Sequence, residues 1–510
     1  MKGRRDLNYL IGVDLGTQGT KTTLMDENCN IVADDFEASR LIHPEVGAVE
    51  QDPEEMLGSI LRTIRNVVQS SGIDPCDVAA IGLDGQMAGN MGIDCDGMAV
   101  TPYDSWLDTR CGKYRQPFLD YGEEKVISIT GAPVTYAHGP KILWWKNERP
   151  DVYKKIHSFV LPAAYCIMRM CGLKGDDAFM DYSYIHFSGF ADTKAKCWSN
   201  DLLSALEVDP AKMPRIVRPF DIVGKLTKEA AAQCGLVEGT PMAAGCGDTA
   251  ATSLGAGITK SGLMFDVAGT ASVLAFATNE YTPDTTHKTL MFANSVIEGL
   301  YTPMAYINGG GMCLKWMRDD VLGKAFTYDE LNELAAKVPA GSENLLFLPH
   351  FSGRVCPNDT LTRGSYINLE WRHNKAHMYR AIMEGIAYEY GIYTDIFRAL
   401  SKDLKLSRIV CIGGGSTSAL FKQIKADVLG VPVSTIKLAD TAALACGVIA
   451  GYGVGLYDDM AAQIDKLSVV HQTTQPNADL LQFYDKRKAI YADTFAALHG
   501  IYRQLSQLQN

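Results

Sequence analysis

The chain has 510 residues, with 48 Lys+Arg against 59 Asp+Glu and a formal net charge of −11. That acidic balance argues against a general nucleic-acid binder, which presents a basic face. Hydrophobic residues at 47% and charged residues at 21% exclude a disordered chain, and because single cores stop growing beyond about 250–300 residues, two domains are expected.

The first elements read as a β-meander. The apolar run Tyr9–Asp14 leads into a glycine turn, Leu15–Thr20, then a second strand, Lys21–Met25, a polar turn and a third strand, Ile31–Phe36. Tyr9–Val13 is too short for a secretory signal, which needs about 7–15 apolar residues. Apolar residues at Met56, Leu57, Ile60, Ile64, Val67 and Val68 give helical spacing over Gln51–Ser70, with Asp52-Pro53 as its start. Val78–Leu83 is a short buried strand ending in Asp84-Gly85. Half a chain after the first turn, Gly262–Leu274 repeats the pattern of apolar strand, Gly-Thr turn and apolar strand. The near-half offset suits two related domains facing each other across a cleft, hinged around Gly255–Gly262.

Ala376–Leu400 reads as a long helix, Ser407–Cys411 as a buried strand, and Gly413–Ser416 as a turn into a helix over Ala419–Leu429. Asp440–Ala450 is a further helix. The uncharged stretch Thr441–Tyr457 carries four glycines and reads as a buried helix and turn, since a membrane span needs about 20 apolar residues. Leu480–Leu505 places Phe483, Tyr484, Ile490, Tyr491, Phe495, Leu498 and Tyr502 on one face of a packing helix. Thirteen scattered cysteines without a C-x-x-C pair fit neither a disulfide framework nor a zinc knuckle. They read as buried small hydrophobes in a reducing compartment, and the expected location is cytoplasmic.

Several segments can carry chemistry. There is no Walker A loop, no H-E-x-x-H and no G-x-S-x-G, so any nucleotide is handled by another architecture. Glycine turns free backbone N–H groups for phosphate oxygens. Asp14–Lys21 is such a turn, with Thr17, Thr20 and Lys21 beside Gly16, and Asp14 placed to hold a cation through water; an ordinary hairpin loop is the plain alternative. Gly269-Thr270 and Gly413–Ser416 add two more glycine turns. Asp248 follows Gly245-Cys246-Gly247, and it reads either as a helix cap or as the base for a hydroxyl nucleophile. Gln86 and Met87, then Trp106, Asp108 and Arg110, and the stretch Gly131–Trp145, suit a polyol site; Asp108 with Arg110 fits a salt bridge equally.

Together these segments resemble the FGGY carbohydrate kinases of the actin-like ATPase superfamily. The likeness runs from Ile11 to about Gly455 and keeps the motif order. Ile11–Thr17 is similar to the first phosphate motif, Trp106–Arg110 to W-x-D-x-R, and Gly245–Asp248 to the G-G-G-D that carries the catalytic base. Phe347–Gly353 with Arg363-Gly364 resembles the F-L-P-Y-L-x-G…R-G block, and Gly413–Ser416 with Gln423, Asp427, Gly430 and Pro432 the adenosine loop. The resemblance implies an α/β fold of two ribonuclease-H-like domains, 1–256 for sugar and 257–510 for nucleotide, flanking a central cleft. It makes Asp248 the general base and Asp14 the group that places Mg²⁺. Gly269 and Thr270 would contact the transferred phosphate, and Gly414, Gly415 and Ser416 would flank the adenosine of ATP.

Gly85-Gln86-Met87 resembles the G-Q-M-H-G signature of xylulokinases and points to a ketopentose such as D-xylulose. Ala88 stands where that signature has His, and His138 is the residue placed to compensate. Arg354-Val355 is a second departure, since many members have Glu-Arg there. The alternatives are ribulose, gluconate, glycerol or an alditol as acceptor, or a non-enzymatic actin-like regulator. The expected partner is a small sugar, with neither nucleic acid nor membrane, and a homodimer is the commonest soluble assembly.

Overall fold

The computed structural model describes residues 8–269, 271–438 and 440–508. They form two compact units, each built on its own sheet. The first holds the chain up to Thr259 together with Phe292–Tyr301 and Leu438–Ser468; the second holds Lys260–Met291, Thr302–Lys437 and the chain from Val469.

In the first unit the main strands are β1 (Tyr9–Leu15), β2 (Gly19–Asp26), β3 (Ile31–Ala38), β4 (Val78–Gly85), β5 (Ile222–Lys225), β6 (Pro241–Ala243) and the short β7 (Cys246–Gly247). Their order is β5-β6-β4-β1-β2-β3, with β7 also paired to β4. β1 runs antiparallel to β2 and parallel to β4. The pattern follows the sequence. β1 is apolar up to Asp14 and buried at its centre, whereas β3 alternates exposed and half-buried residues and forms the edge.

Two of the helices packed on this sheet are Pro53–Ser71 and Thr441–Gly453. Pro53–Ser71 starts on Asp52, whose carboxylate accepts from the N–H groups of Glu54 and Glu55, and ends on Gly72 in the left-handed region. Thr441–Gly453 is buried along most of its length and packs on β1 and β4. A Cβ at Gly12 would stand 1.7 Å from the carbonyl oxygen of Ala443, and one at Gly82 would stand 2.1 Å from that of Cys446. Only glycine lets the helix backbone lie this close to the two central strands.

The second unit repeats the plan. Its strands β8 (Leu263–Ala268), β9 (Ser272–Phe276), β10 (Tyr301–Ile307), β11 (Arg408–Ile412), β12 (Val433–Ile436) and β13 (Val470–Thr474) lie in the order β10-β9-β8-β11-β12-β13. β8 is antiparallel to β9 and parallel to β11, as β1 is to β2 and β4. The fold is therefore α/β with two related sheets, as the repeated strand–turn–strand pattern led us to expect.

The last helix, Ala478–Gln507, buries Tyr484, Arg487, Tyr491 and Tyr502. Ile490 is exposed and Phe483 partly so, which narrows the single apolar face expected from spacing. Polar anchoring is the reason. Tyr484 and Tyr491 donate their hydroxyls to the buried carboxylates Glu384 and Glu389 of the helix Lys375–Leu400. Nine of the 13 cysteines are buried. Among the described residues no helix is long and apolar enough to cross a membrane.

Candidate active site

In the first unit, adjacent strand ends bring carboxyl groups together. The parallel register sets Asp14 of β1 beside Asp84 of β4, with Gly12 beside Gly82. Burial raises the pKa of Asp14. Asp84 is fully buried; its Oδ2 accepts from the Cys446 thiol at 3.1 Å, and its Oδ1 has no hydrogen-bond partner. Burial first, then the charges of Asp14, Cys246 and Asp248, holds its pKa well above the ordinary carboxylate range.

Asp248 opens the helix Asp248–Gly255, but the cap position belongs to Gly247 and no side chain caps the end. The capping alternative therefore does not describe Asp248. Its Oδ1 accepts from the Thr249 N–H at 2.5 Å and from the Thr249 hydroxyl at 3.1 Å. Burial, and then the charge of Asp14, pushes its pKa up to about 7.

The loop that carries Asp248 is pinned from below. The buried Tyr184 hydroxyl shares its proton between the carbonyls of Gly85 (2.9 Å) and Cys246 (2.8 Å), and Gly247 N–H donates to Ser183 at 2.9 Å. Tyr184→Phe leaves two buried carbonyls without that donor, so about 1–3 kcal/mol of stability is expected to be lost in denaturant titration. An unchanged midpoint would show that the two carbonyls find other donors.

The turn between β1 and β2 closes with Gly16 N–H donating to Gly19 O at 3.0 Å. Thr17 joins three motifs: it accepts from Trp106 Nε1 at 2.9 Å and donates to Gln86 Oε1 at 3.0 Å, while Gln86 Nε2 reaches Gln51 at 2.7 Å. Met87 packs against Gly247, the residue before Asp248. Thr20 is buried with its hydroxyl 2.6 Å from Ser59, and Lys21 pairs with Asp440 at 2.5 Å. These two are therefore held by protein groups, while Gly16 and Thr17 remain half-buried at the turn.

Trp106 is 44% exposed, whereas Asp108 and Arg110 beside it are inward. Arg110 is a hub. Its guanidinium meets Glu50 (2.6 Å), Asp108 (2.8 Å), Asp104 (3.0 Å) and Glu45 (3.4 Å), and lies 4.5 Å from the centre of the Trp144 ring. Asp108 also accepts from the Val49 N–H, and the buried Lys141 donates to its carbonyl. Glu50, Asp104 and Asp108 form the single metal-type cluster among the described residues, and Arg110 already supplies its positive charge. The salt-bridge alternative thus describes this pair. His138 begins the helix His138–Glu148; both ring nitrogens are buried without a partner. Burial, His186 and Lys141 lower its pKa to about 3, so the ring is neutral at physiological pH.

The second unit holds a cavity of about 390 Å³. Gly269, Gly414 and Gly415 line one side, and Thr417 and Ser418 extend it. Ser416 turns its hydroxyl back to the Gly413 carbonyl at 2.7 Å and does not line the cavity. Thr270 lies outside the described residues. Beneath the glycine turns Lys425 is ion-paired with Asp266, which also accepts from Cys411 and Tyr390; all four side chains are buried. That network ties β8 to the helix Ala419–Leu429 and so fixes the two turns together.

Asp84, Tyr184 and Asn332, another cavity residue, were not foreseen. Asp84 did leave a signal, because Ile81-Gly82-Leu83-Asp84 repeats the spacing of Ile11-Gly12-Val13-Asp14. Tyr184 left none, since its role depends on the approach of β4 and β7.

Comparison with known proteins agrees over nearly the whole chain. Residues 9–255 match the model of the FGGY family of carbohydrate kinases, N-terminal domain, and residues 264–453 that of its C-terminal domain. The chain is 29% identical over 498 residues to the xylulose kinase of Bacillus subtilis (strain 168), covering 96% of this chain and 97% of that one. Among solved structures it is similar to the ligand-bound xylulose kinase of Lactobacillus acidophilus, with 26% identity, a TM-score of 0.89 and coverage of 98% and 100% of the two chains. It is also similar to a gluconate kinase of Lactobacillus acidophilus, with 25% identity, a TM-score of 0.90 and the same coverage. This chain, with its two actin-like sheets, belongs to the FGGY family of carbohydrate kinases.

Proposed function

We propose that the protein transfers the γ-phosphoryl group of ATP to a hydroxyl of a ketopentose, D-xylulose foremost, with Asp248 as general base. The observation that carries this reading is the Asp248 carboxyl. It is held at about 7 by burial and by Asp14, and it is oriented by Thr249 through Oδ1 alone. A base with a pKa near the operating pH combines a useful ionised fraction with real proton affinity. As the sugar oxygen attacks phosphorus, its proton passes to Oδ2, and Thr249 keeps the carboxylate in place.

The nucleotide is assigned to the glycine-lined cavity, where Gly269, Gly414 and Gly415 leave room for phosphate and ribose oxygens. Asp14 and Asp84 make an all-oxygen set, and the unpartnered Asp84 Oδ1 suits a hard divalent cation such as Mg²⁺. Asp14 would hold that ion and Asp84 would stand behind it; when bound it neutralises phosphate charge. Gln86, Met87, Trp106 and the neutral His138 are assigned to the sugar, with Asp108 and Arg110 positioning Trp106.

A sugar acid such as gluconate is the second reading. Ala88 holds a left-handed backbone (φ 60°) where the xylulokinase-like signature has His, so one hydroxyl partner is missing. Similarity to a gluconate kinase favours the same alternative. A coupled ADP-release assay across ketopentoses, aldonates, glycerol and alditols tests the choice. The highest kcat/KM is expected with D-xylulose, and a higher value with gluconate would replace it.

Asp248 acts only when ionised, and its pKa is raised. The acid limb of kcat/KM is therefore expected near pH 7, with the rate falling tenfold per pH unit below it. A limb near pH 4, the ordinary aspartate value, would contradict the assignment.

A further inference from the structure

We infer that Gln51 is a positioning residue for the sugar: through Gln86 and Thr17 it holds the Trp106 indole in the orientation that receives the acceptor. The inference rests on the assignment of Trp106 to the sugar and adds the residue that fixes it. Four side chains of the first unit form one hydrogen-bonded chain. Trp106 Nε1 donates to Thr17 Oγ1 at 2.9 Å, Thr17 Oγ1 donates to Gln86 Oε1 at 3.0 Å, and Gln86 Nε2 donates to Gln51 Oε1 at 2.7 Å. Trp106 stands exposed at one end, whereas Gln86 and Gln51 are buried.

The direction of the chain is set at the Gln51 end. Gln86 gives its second amide hydrogen to the Gly16 carbonyl at 3.3 Å, the longer of its two bonds. Turned over, the amide would set its oxygen against two acceptors, so the Gln51 oxygen decides which end of Gln86 meets Thr17. Thr17 has one hydroxyl proton. Given to Gln86, it leaves the oxygen free to accept from the indole; a turned amide would donate to that hydroxyl and compete with the indole for it. Gln51 itself has little freedom. It lies in the short strand Glu50–Gln51, paired with Tyr103–Asp104, the segment that leads into Trp106. On one side Arg110 holds Glu50 at 2.6 Å, and on the other Asp52 caps the helix Pro53–Ser71. An exposed ring held in advance saves ordering cost when the sugar binds, so loss of the support acts on sugar KM more than on kcat.

The test is steady-state kinetics of the full-length protein with ATP, Mg²⁺ and the acceptor of highest kcat/KM. Gln51→Met, which removes the acceptor oxygen, is expected to raise sugar KM about tenfold, with kcat and the KM for ATP within about twofold of wild type. Gln51→Glu keeps an acceptor oxygen in either protonation state and should keep the wild-type sugar KM. Gln51→Asn, one carbon shorter, also withdraws the acceptor and preserves the test if the Met variant misfolds. In a Trp106→Phe background, which lacks the indole N–H, Gln51→Met should change sugar KM by less than about twofold. Unchanged sugar KM in Gln51→Met, the same loss in Gln51→Glu, or the full rise persisting on Trp106→Phe overturns the inference. A wild-type sugar KM in Trp106→Phe alone overturns the assignment of Trp106 to the sugar, and a wild type that phosphorylates no sugar or sugar acid overturns the proposed function.

Discussion

Asp248→Asn is expected to lower kcat by about 10²–10⁴, the usual effect of removing a general base. The amide retains an oxygen for the Thr249 N–H bond at 2.5 Å but cannot take a proton. Binding of sugar and ADP should be little changed. Stability should not fall, because the Asp248 charge is one of the groups that raises the pKa of the buried Asp84. Loss of kcat at constant stability separates a chemical role from a structural one. A variant that keeps near-normal kcat would remove Asp248 from the mechanism.

Arg110→Ala should act in the opposite manner. It removes the cation that faces Glu50, Asp104 and Asp108, and burial already pushes the Asp104 carboxyl up to about 7 against the pull of Lys141 and Arg110. Leaving buried carboxylates unpaired typically costs about 3–5 kcal/mol. A loss of that size in denaturant unfolding is expected, with Arg110→Lys a poor substitute because the ammonium lacks the planar fork that reaches several carboxylates. If the alanine variant keeps its stability and only the sugar KM rises, Arg110 contacts the substrate and is not a positioning residue.

The strands and helices legible in the sequence are those where apolar periodicity and glycine punctuation coincide. β1, β2 and the helix Pro53–Ser71 carry their own start and stop signals. Asp248 stood out because Gly245-Cys246-Gly247-Asp248 resembles the G-G-G-D motif, whereas the glycines alone read as readily as a helix cap. The inward direction of Arg110 was not legible, since two of its partners, Glu45 and Glu50, lie far upstream on another segment. Membership of Thr441–Gly453 in the first unit was hidden for the same reason: it rests on Gly12 and Gly82 meeting that helix across most of the chain's length. The last helix shows the limit of periodicity. Buried Glu384 and Glu389 select which of its aromatic residues face inward, and no spacing rule contains them.

The most direct test follows the phosphoryl group itself. Incubated with ATP, Mg²⁺ and D-xylulose, the protein should convert the sugar to a monophosphate ester in step with ADP release, as read by mass spectrometry of the acceptor. ADP and free phosphate appearing while every sugar and sugar acid offered remains unmodified would contradict the account.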